Sequence, residues 1–217
     1  MIHRIGKKEL IQAQAALFVA IALQLFSRHI GGEQLPGSQY IIILTEVTLA
    51  VLLGFTANMH QARTKGIHHA FAVALLALIS VANISGLIFV LHSLIIDHAI
   101  SGGEQLLVSA IAIFMTNIIV YALWYWEIDS PGLTRTRWSK HDKDFQFTQQ
   151  DMTDEFPGWR PEFSDYLYVS ITNAVNFAPA DTRPLTRQVK LLMASQALIS
   201  VFTLALVIAR SVSILGT

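Results

Sequence analysis

Glu46 is the one ionisable residue in an otherwise apolar run, YIIILTEVTLAVLLGF (40–55). A charged group inside a membrane is rare and is a functional candidate by default, here a carboxyl able to bind and release a proton. A hydrated position near the interface, or a bond to Thr45 or Thr48, is its structural alternative. His92 is the second intramembrane candidate, on a later apolar run that also carries Asn83. The two are nine residues apart, about 180° around a helix, so they cannot form one site on that helix alone. Each suits an interhelical hydrogen bond. His60, His68 and His69 flank Arg63 and Lys65, but neither H-x-x-x-H nor H-E-x-x-H occurs, and His98 is only a sequence neighbour of Asp97. Seven carboxylates, Asp142, Asp144, Asp151, Asp154, Glu155, Glu162 and Asp165, crowd one polar stretch without the spacing of a calcium loop. A solvated, salt-bridged loop is the expected reading. No G-x-S-x-G, P-loop or G-x-G-x-x-G is present, and there is no cysteine. We therefore expect no enzyme, no metal site and no cofactor.

A different kind of site is suggested by SDYLYVSITNAVNFAPADTRPLTR (164–187). Residues 166–178 would make about 20 Å of helix, against a hydrocarbon core of about 30 Å. Such a segment can enter a bilayer and return, but cannot cross it. Irregular backbone at that depth is tolerated only where protein or a water-filled cavity satisfies it. Pro179 ends the helix, since it has no N–H to give. Asn173 and Asn176, three apart, would share a face directed at a polar cavity.

The elements around this segment follow from composition. The 217 residues are 53% hydrophobic and 14% charged, about half the charge of a typical soluble domain. Mean hydropathy is positive. Five runs are long and apolar enough to span a bilayer: 10–28, 40–58, 70–96, 105–126 and 188–214. The expected fold is an all-α integral membrane protein with five transmembrane helices plus one re-entrant half-helix between the last two. GGEQLPGS (31–38) and SGGEQ (101–105) make tight turns. The basic, then apolar start reads as a retained signal anchor, an amphipathic surface helix with Gln12, Gln14 and Gln24 being the alternative. The aromatic run YALWYWE (121–127) reads as an interfacial belt. The loop aromatics Phe145, Phe147, Phe156, Trp159 and Phe163 indicate that the long polar stretch is folded rather than free.

Charge sets the orientation. Arg4, Lys7, Lys8, Arg63, Lys65 and eight basic residues from Arg135 to Lys190 fall on one side, and only Arg28 and Arg210 on the other. The positive-inside rule places the N-terminus and the long loop in the cytoplasm and the C-terminus outside, in the bacterial inner (plasma) membrane. Zero formal net charge gives no indication of nucleic-acid binding. On the last span Gln196, Ser200 and Thr203 form one polar stripe, suited to helix packing or to lining an aqueous path.

The order span, half-helix, extended turn, span resembles the two-helix pore module of potassium-channel-like proteins. YVSITNAVNFAPAD (168–181) lies without gaps beside the family's YxSxxTxTTVGYGD, and PLTRQVKLLM (184–193) beside the start of its inner helix. Tyr168, Ser170, Asp181, Pro184 and Thr186 fall on matching positions. The resemblance divides the chain into a three-helix region (1–100) and a pore-module-like region (101–217), with an outer helix at 105–126, a loop at 127–162, a re-entrant helix at 164–181 and an inner helix at 188–214. It implies a homo-oligomer in the lipid bilayer, most simply a tetramer, because one module closes a quarter of a ring. Thr172, Asn173, Asn176, Phe177, Ala178, Pro179, Ala180 and Asp181 would be filter-like, and Gln196, Ser200 and Thr203 pore-lining. The filter glycines are replaced by Ala178 and Ala180 and its tyrosine by Pro179, so the positive φ that a ring of inward carbonyls requires is no longer cheap. The half-helix would also enter from the cytoplasmic side, opposite to a potassium channel. The expectation is an ion-channel-like protein that is not potassium-selective. The alternative is a non-conducting protein that uses the module as a packing, partner-binding or lipid-binding unit.

Overall fold

A computed structural model describes residues 7–30, 48, 67–95, 103–129, 143–178 and 181–215. Four long helices form from apolar runs without internal proline: α1 (Lys7–Ile30), α2 (Ile67–Ile95), α3 (Gly103–Asp129) and, at the end, α6 (Arg187–Leu215). Between α3 and α6 lie a short strand β1 (Phe145–Phe147), the single turn α4 (Thr148–Asp151), the half-length helix α5 (Phe163–Asn176) and a second strand β2 (Thr182–Pro184). Among the described residues three helices are long and apolar enough to cross a membrane, over Ala70–His92, Gln105–Asp129 and Arg187–Ala209, and α1 adds a shorter apolar stretch, Ile11–Ser27. In such helices every mid-chain backbone group is paired internally, which is what a hydrocarbon solvent demands. The run expected to span at 40–58 lies outside the described residues except for Thr48, and Glu46 lies outside them too.

The central element is α3. Within its apolar stretch 67% is buried inside the chain, against 39% for α2 and 28% for α6. Its partners are α1, α2, α5 and α6. Long-range hydrogen bonds fix the directions. The Ser109 hydroxyl donates to the Ser27 carbonyl at 3.2 Å, joining the start of α3 to the end of α1. Trp124 Nε1 donates to Ser80 Oγ at 3.1 Å, and Ser80 in turn donates to the Leu76 carbonyl one turn back at 2.7 Å. Toward α6, Asn117 Nδ2 donates to Ser200 Oγ at 3.1 Å, and the Tyr121 and Ser195 hydroxyls are 2.7 Å apart. Thus α1, α2 and α6 all run antiparallel to α3, and the end of α3 meets the start of α6.

At that end a large core joins Leu17, Leu75, Leu76 and Leu123 to Tyr125, Trp126, Phe145 and Tyr166. A smaller cluster of Leu87, Val90, Leu106, Ile113 and Leu206 fills the other end. The aromatic run on α3 does not make a lipid-facing belt. Tyr121, Tyr125 and Trp126 are buried, because α5 and the strand pair cover the end of α3. The two strands pair antiparallel, with Phe145 opposite Pro184, Gln146 opposite Arg183 and Phe147 opposite Thr182. The chain thus leaves α3, returns as β1, descends along α5 and comes back as β2 before α6 begins.

Candidate functional site

The helix α3 continues to Asp129, three residues beyond the expected boundary, and carries Glu127 and Asp129 into the buried region. A carboxylate at a helix C-terminus opposes the helix dipole and needs donors. Asp129 has three. Its Oδ1 accepts the backbone N–H groups of Asp144 at 2.6 Å and Phe145 at 3.0 Å, and its Oδ2 accepts the Tyr166 hydroxyl at 2.6 Å. Bonds of this charge-assisted kind are the strong ones. Asp144, also buried, accepts the Thr186 hydroxyl at 2.7 Å on Oδ1 and the Leu185 N–H at 2.9 Å on its carbonyl. Thr186 Oγ1 accepts the Val189 N–H at 3.4 Å and so caps α6. One chain of bonds therefore runs from the end of α3 through the start of β1 to the first turn of α6, with α5 tied in by Tyr166.

Aromatic rings fill the space around this knot. Tyr125 meets Phe145 edge-on at 5.3 Å between centroids, and Tyr166 meets both Phe145 (6.1 Å) and Phe147 (5.5 Å). Trp159 packs on Phe147 at 5.6 Å and Phe163 on Trp126 at 5.6 Å. Tilted and edge-to-face contacts of this kind add to area burial. The expectation that the loop aromatics are packed holds for Phe145, Phe147, Trp159 and Phe163, whereas Phe156 is exposed.

Deeper along α3 lies a second polar centre, built on Gln196. Its Oε1 accepts the Tyr125 hydroxyl at 2.6 Å and Asn173 Nδ2 at 2.7 Å; its Nε2 donates to Ser170 Oγ at 2.7 Å and to the Ser170 carbonyl at 3.1 Å. Ser170 donates onward to the Ile118 carbonyl at 2.6 Å, and Asn173 Nδ2 also reaches the Met193 carbonyl at 3.0 Å. A buried glutamine with both ends engaged is neutral, saturated and fixed in orientation. Ser170 meets α3 eleven residues before Asp129, roughly 16 Å along the helix, so α5 reaches about half the length of its neighbour.

The sequence-derived candidates divide sharply. Gln196, Ser200 and Thr203 are fully buried on the face of α6 turned toward the chain's interior, with Ser200 bonded to Asn117 and Thr203 to its own Ile199 carbonyl at 2.7 Å. Thr172 returns its hydroxyl to the Tyr168 carbonyl at 2.9 Å. Asn173 and Asn176 do not share surroundings: the first is buried in the Gln196 network and the second is exposed. Phe177 caps α5 in the left-handed conformation at φ 58°, and it and Ala178 are exposed. Positive φ therefore falls on Phe177 rather than on Ala178, where the glycine of the filter pattern would stand. Pro179 and Ala180 lie outside the described residues. Asp181 is half-buried and its carbonyl accepts the Thr148 hydroxyl at 2.6 Å. His92 is exposed near the end of α2.

Sequence reasoning missed Asp129 and Tyr166, and it read Asp144 as part of a solvated carboxylate loop and Tyr125 as part of an interfacial belt, whereas both are buried. The available signal was the four-residue recurrence of Tyr121, Tyr125 and Asp129, which continues one helical stripe past residue 126. Among the described residues no group of three His, Cys, Asp or Glu side chains is placed to hold a metal ion. Outside the spans, the Asp165 carboxyl is pushed above its ordinary range by burial and by the neighbouring Glu162 and Asp181 charges, against the Glu162 N–H that donates to it at 2.7 Å. The chemistry available is hydrogen bonding and aromatic packing, arranged to hold α5 and the strand pair on the end of α3. No protein-family model, curated protein or solved structure matches this chain.

Proposed function

We propose that this chain is a multi-pass protein of the bacterial inner membrane with five spans and a re-entrant half-helix, α5, entering from the cytoplasmic side between the last two. The antiparallel relation of both α1 and α2 to α3 supports the span expected at 40–58. The starts of α1, α2 and α6 and the end of α3 fall at one end, the end to which the lysine and arginine surplus of the sequence belongs. That supports a cytoplasmic N-terminus and an external C-terminus.

We infer a non-conducting protein in which the half-helix is a packing unit, holding an aromatic and acidic platform at the cytoplasmic interface for a partner or for lipid headgroups. The observation that carries this reading is Gln196: every polar group of its amide is used by Tyr125, Asn173 and Ser170 of the same chain. Polar side chains that would have to face an aqueous axis are instead spent on closing one subunit.

The second reading is an oligomeric, most simply tetrameric, channel that is not selective for potassium. The exposed tip of α5, Asn176–Ala178, favours it, since a neighbouring copy would meet those residues. Its axis would then be lined by the exposed apolar faces of α5 (Tyr168, Ile171, Val175) and α6 (Leu198, Phe202), not by the polar stripe. Reconstitution separates the two. Vesicles carrying the purified protein should pass sodium, potassium and chloride no faster than empty vesicles, whatever its mass in detergent. A reproducible flux that changes with Phe177→Ala would replace the packing reading by the channel.

A further inference from the structure

At mid-length in the bundle, α1, α2 and α3 form a partly open cavity of about 20 Å³ lined by Gln24, Asn83 and Thr116, with Ser27, Ala82, Gly86 and Ile113 completing its wall. Thr116 is the central residue of α3, and Asn83 lies within a turn of the middle of α2. Gln24, Asn83 and Thr116 are more than nine-tenths buried, at 6%, 4% and 0% exposure. Gln24 is fixed by its Nε2, which donates to the Ile79 carbonyl at 2.9 Å. Its Oε1, Asn83 Oδ1 and Thr116 Oγ1 have no hydrogen-bond partner among the described residues. Three buried, unpartnered oxygens on three helices thus belong to residues lining one small space, and buried polar atoms in native proteins are almost always satisfied.

The chemistry of the three identifies the occupant. Two are amide oxygens, which only accept, and the third is a hydroxyl, which can donate. The complementary ligand offers two protons and accepts one. Water does so, and one water needs about 10–15 Å³ of such space, which this cavity provides. No carboxylate lines the cavity, and three neutral oxygens are few for a metal cation, which gathers roughly six or more. We propose that this cavity holds a single tightly bound water, donating to Gln24 Oε1 and Asn83 Oδ1 and accepting from the Thr116 hydroxyl. It joins α1, α2 and α3 at one point, beside the direct Gln24–Ile79 and Ser109–Ser27 bonds.

A double-mutant cycle on the full chain in detergent tests this. Thr116→Val keeps the shape and removes the hydroxyl; Asn83→Leu removes the amide; the two residues share no direct bond. With the water present, each single variant lowers the melting temperature, by about 2–4 °C, and the double variant falls clearly short of the sum because the bridge is lost only once. A melting temperature that is unchanged or raised in the single variants, or strictly additive losses, overturns the proposal, since a dry cavity gains from losing unsatisfied polar atoms. A cryo-electron microscopy map near 2 Å supplies a readout independent of folding: one density between the three oxygens is expected, and its absence overturns the assignment. Melting in equimolar sodium, potassium, ammonium and choline chloride should be alike. A rise specific to one cation, abolished by Thr116→Val, would replace the water by that cation.

Discussion

The residue that decides most at its own scale is Asn173. Its amide stands between α3, α5 and α6, with a donor shared among Gln196, Met193 and Tyr125. Asn176, one turn further along, is exposed. Identical residue types three positions apart therefore have opposite consequences. Replacing Asn173 by Leu leaves the Met193 carbonyl without its side-chain donor and crowds a fixed glutamine, and should cost about 1–3 kcal/mol in thermal or denaturant unfolding. Asn176→Leu should stay within about 0.5 kcal/mol of the parent. Equal effects at the two sites would show that the Gln196 network does not organise the end of the bundle. Sequence alone put the two asparagines on a common polar face, because a spacing of three allows it. The choice between them comes from the packing of α5, which sets Asn173 against Gln196 and Met193 and leaves Asn176 as its exposed last residue.

At the scale of the element, α5 is a half-length helix with defined ends. Its first turn carries Asp165, whose carboxylate accepts the Glu162 N–H, and its last residue is followed by Phe177 in the left-handed region. Acidic residues suit a helix N-terminus. A bulky residue at positive φ does not suit its position, since the conformation costs roughly 1–2 kcal/mol for anything but glycine. Phe177→Gly should therefore stabilise the protein by about 1 kcal/mol, the ring being half-exposed and its packing modest. A loss of stability on that change, measured by melting in detergent, would mean that the ring makes a contact worth more than the strain. The start of this helix was legible to within one residue, whereas its end was not: it stops at Asn176, before Pro179, with Phe177 in the left-handed conformation as its cap. The extension of α3 to Asp129 was not legible either, because Glu127 and Asp129 look like the start of a polar loop until Tyr166 and the β1 backbone are seen to satisfy the second of them. Pairing of β1 with β2 was illegible for a related reason: three-residue strands 37 positions apart carry no periodic signal, and only closure of the α5 excursion brings them into register.

For the whole molecule, the testable property is direction. The chain has no cysteine, so single cysteines report one site each. Thr153→Cys, in the exposed turn after α4, should react with a membrane-impermeant thiol reagent only in inside-out vesicles, and Thr217→Cys only in intact cells or right-side-out vesicles. Labelling of both from the same side would remove the five-span reading and the cytoplasmic entry of α5 together. The internal bonds of the bundle do not depend on which leaflet is which. What the orientation decides is the compartment that sees the platform of Asp151, Asp154, Glu155 and Phe156, all exposed on one surface.

Apolar run length, charge asymmetry and the breakers between runs determined by themselves that this is a helical chain suited to a membrane, where its four described long helices run and that a half-length segment precedes the last of them. These are one-dimensional properties, set by transfer of backbone and side chains out of water, and they need no partner to be read. Which face of each helix is inside was not determined in that way. In hydrocarbon an apolar face is as comfortable against lipid as against protein, so hydropathy loses the periodic signal that marks the core of a soluble helix. Only the tertiary arrangement turned Gln196, Ser200 and Thr203 inward, drew Asp129 out of the loop into a buried knot and left Asn176 at the surface, because in each case a specific hydrogen-bonding partner, far away in sequence, decides where a polar group can afford to be.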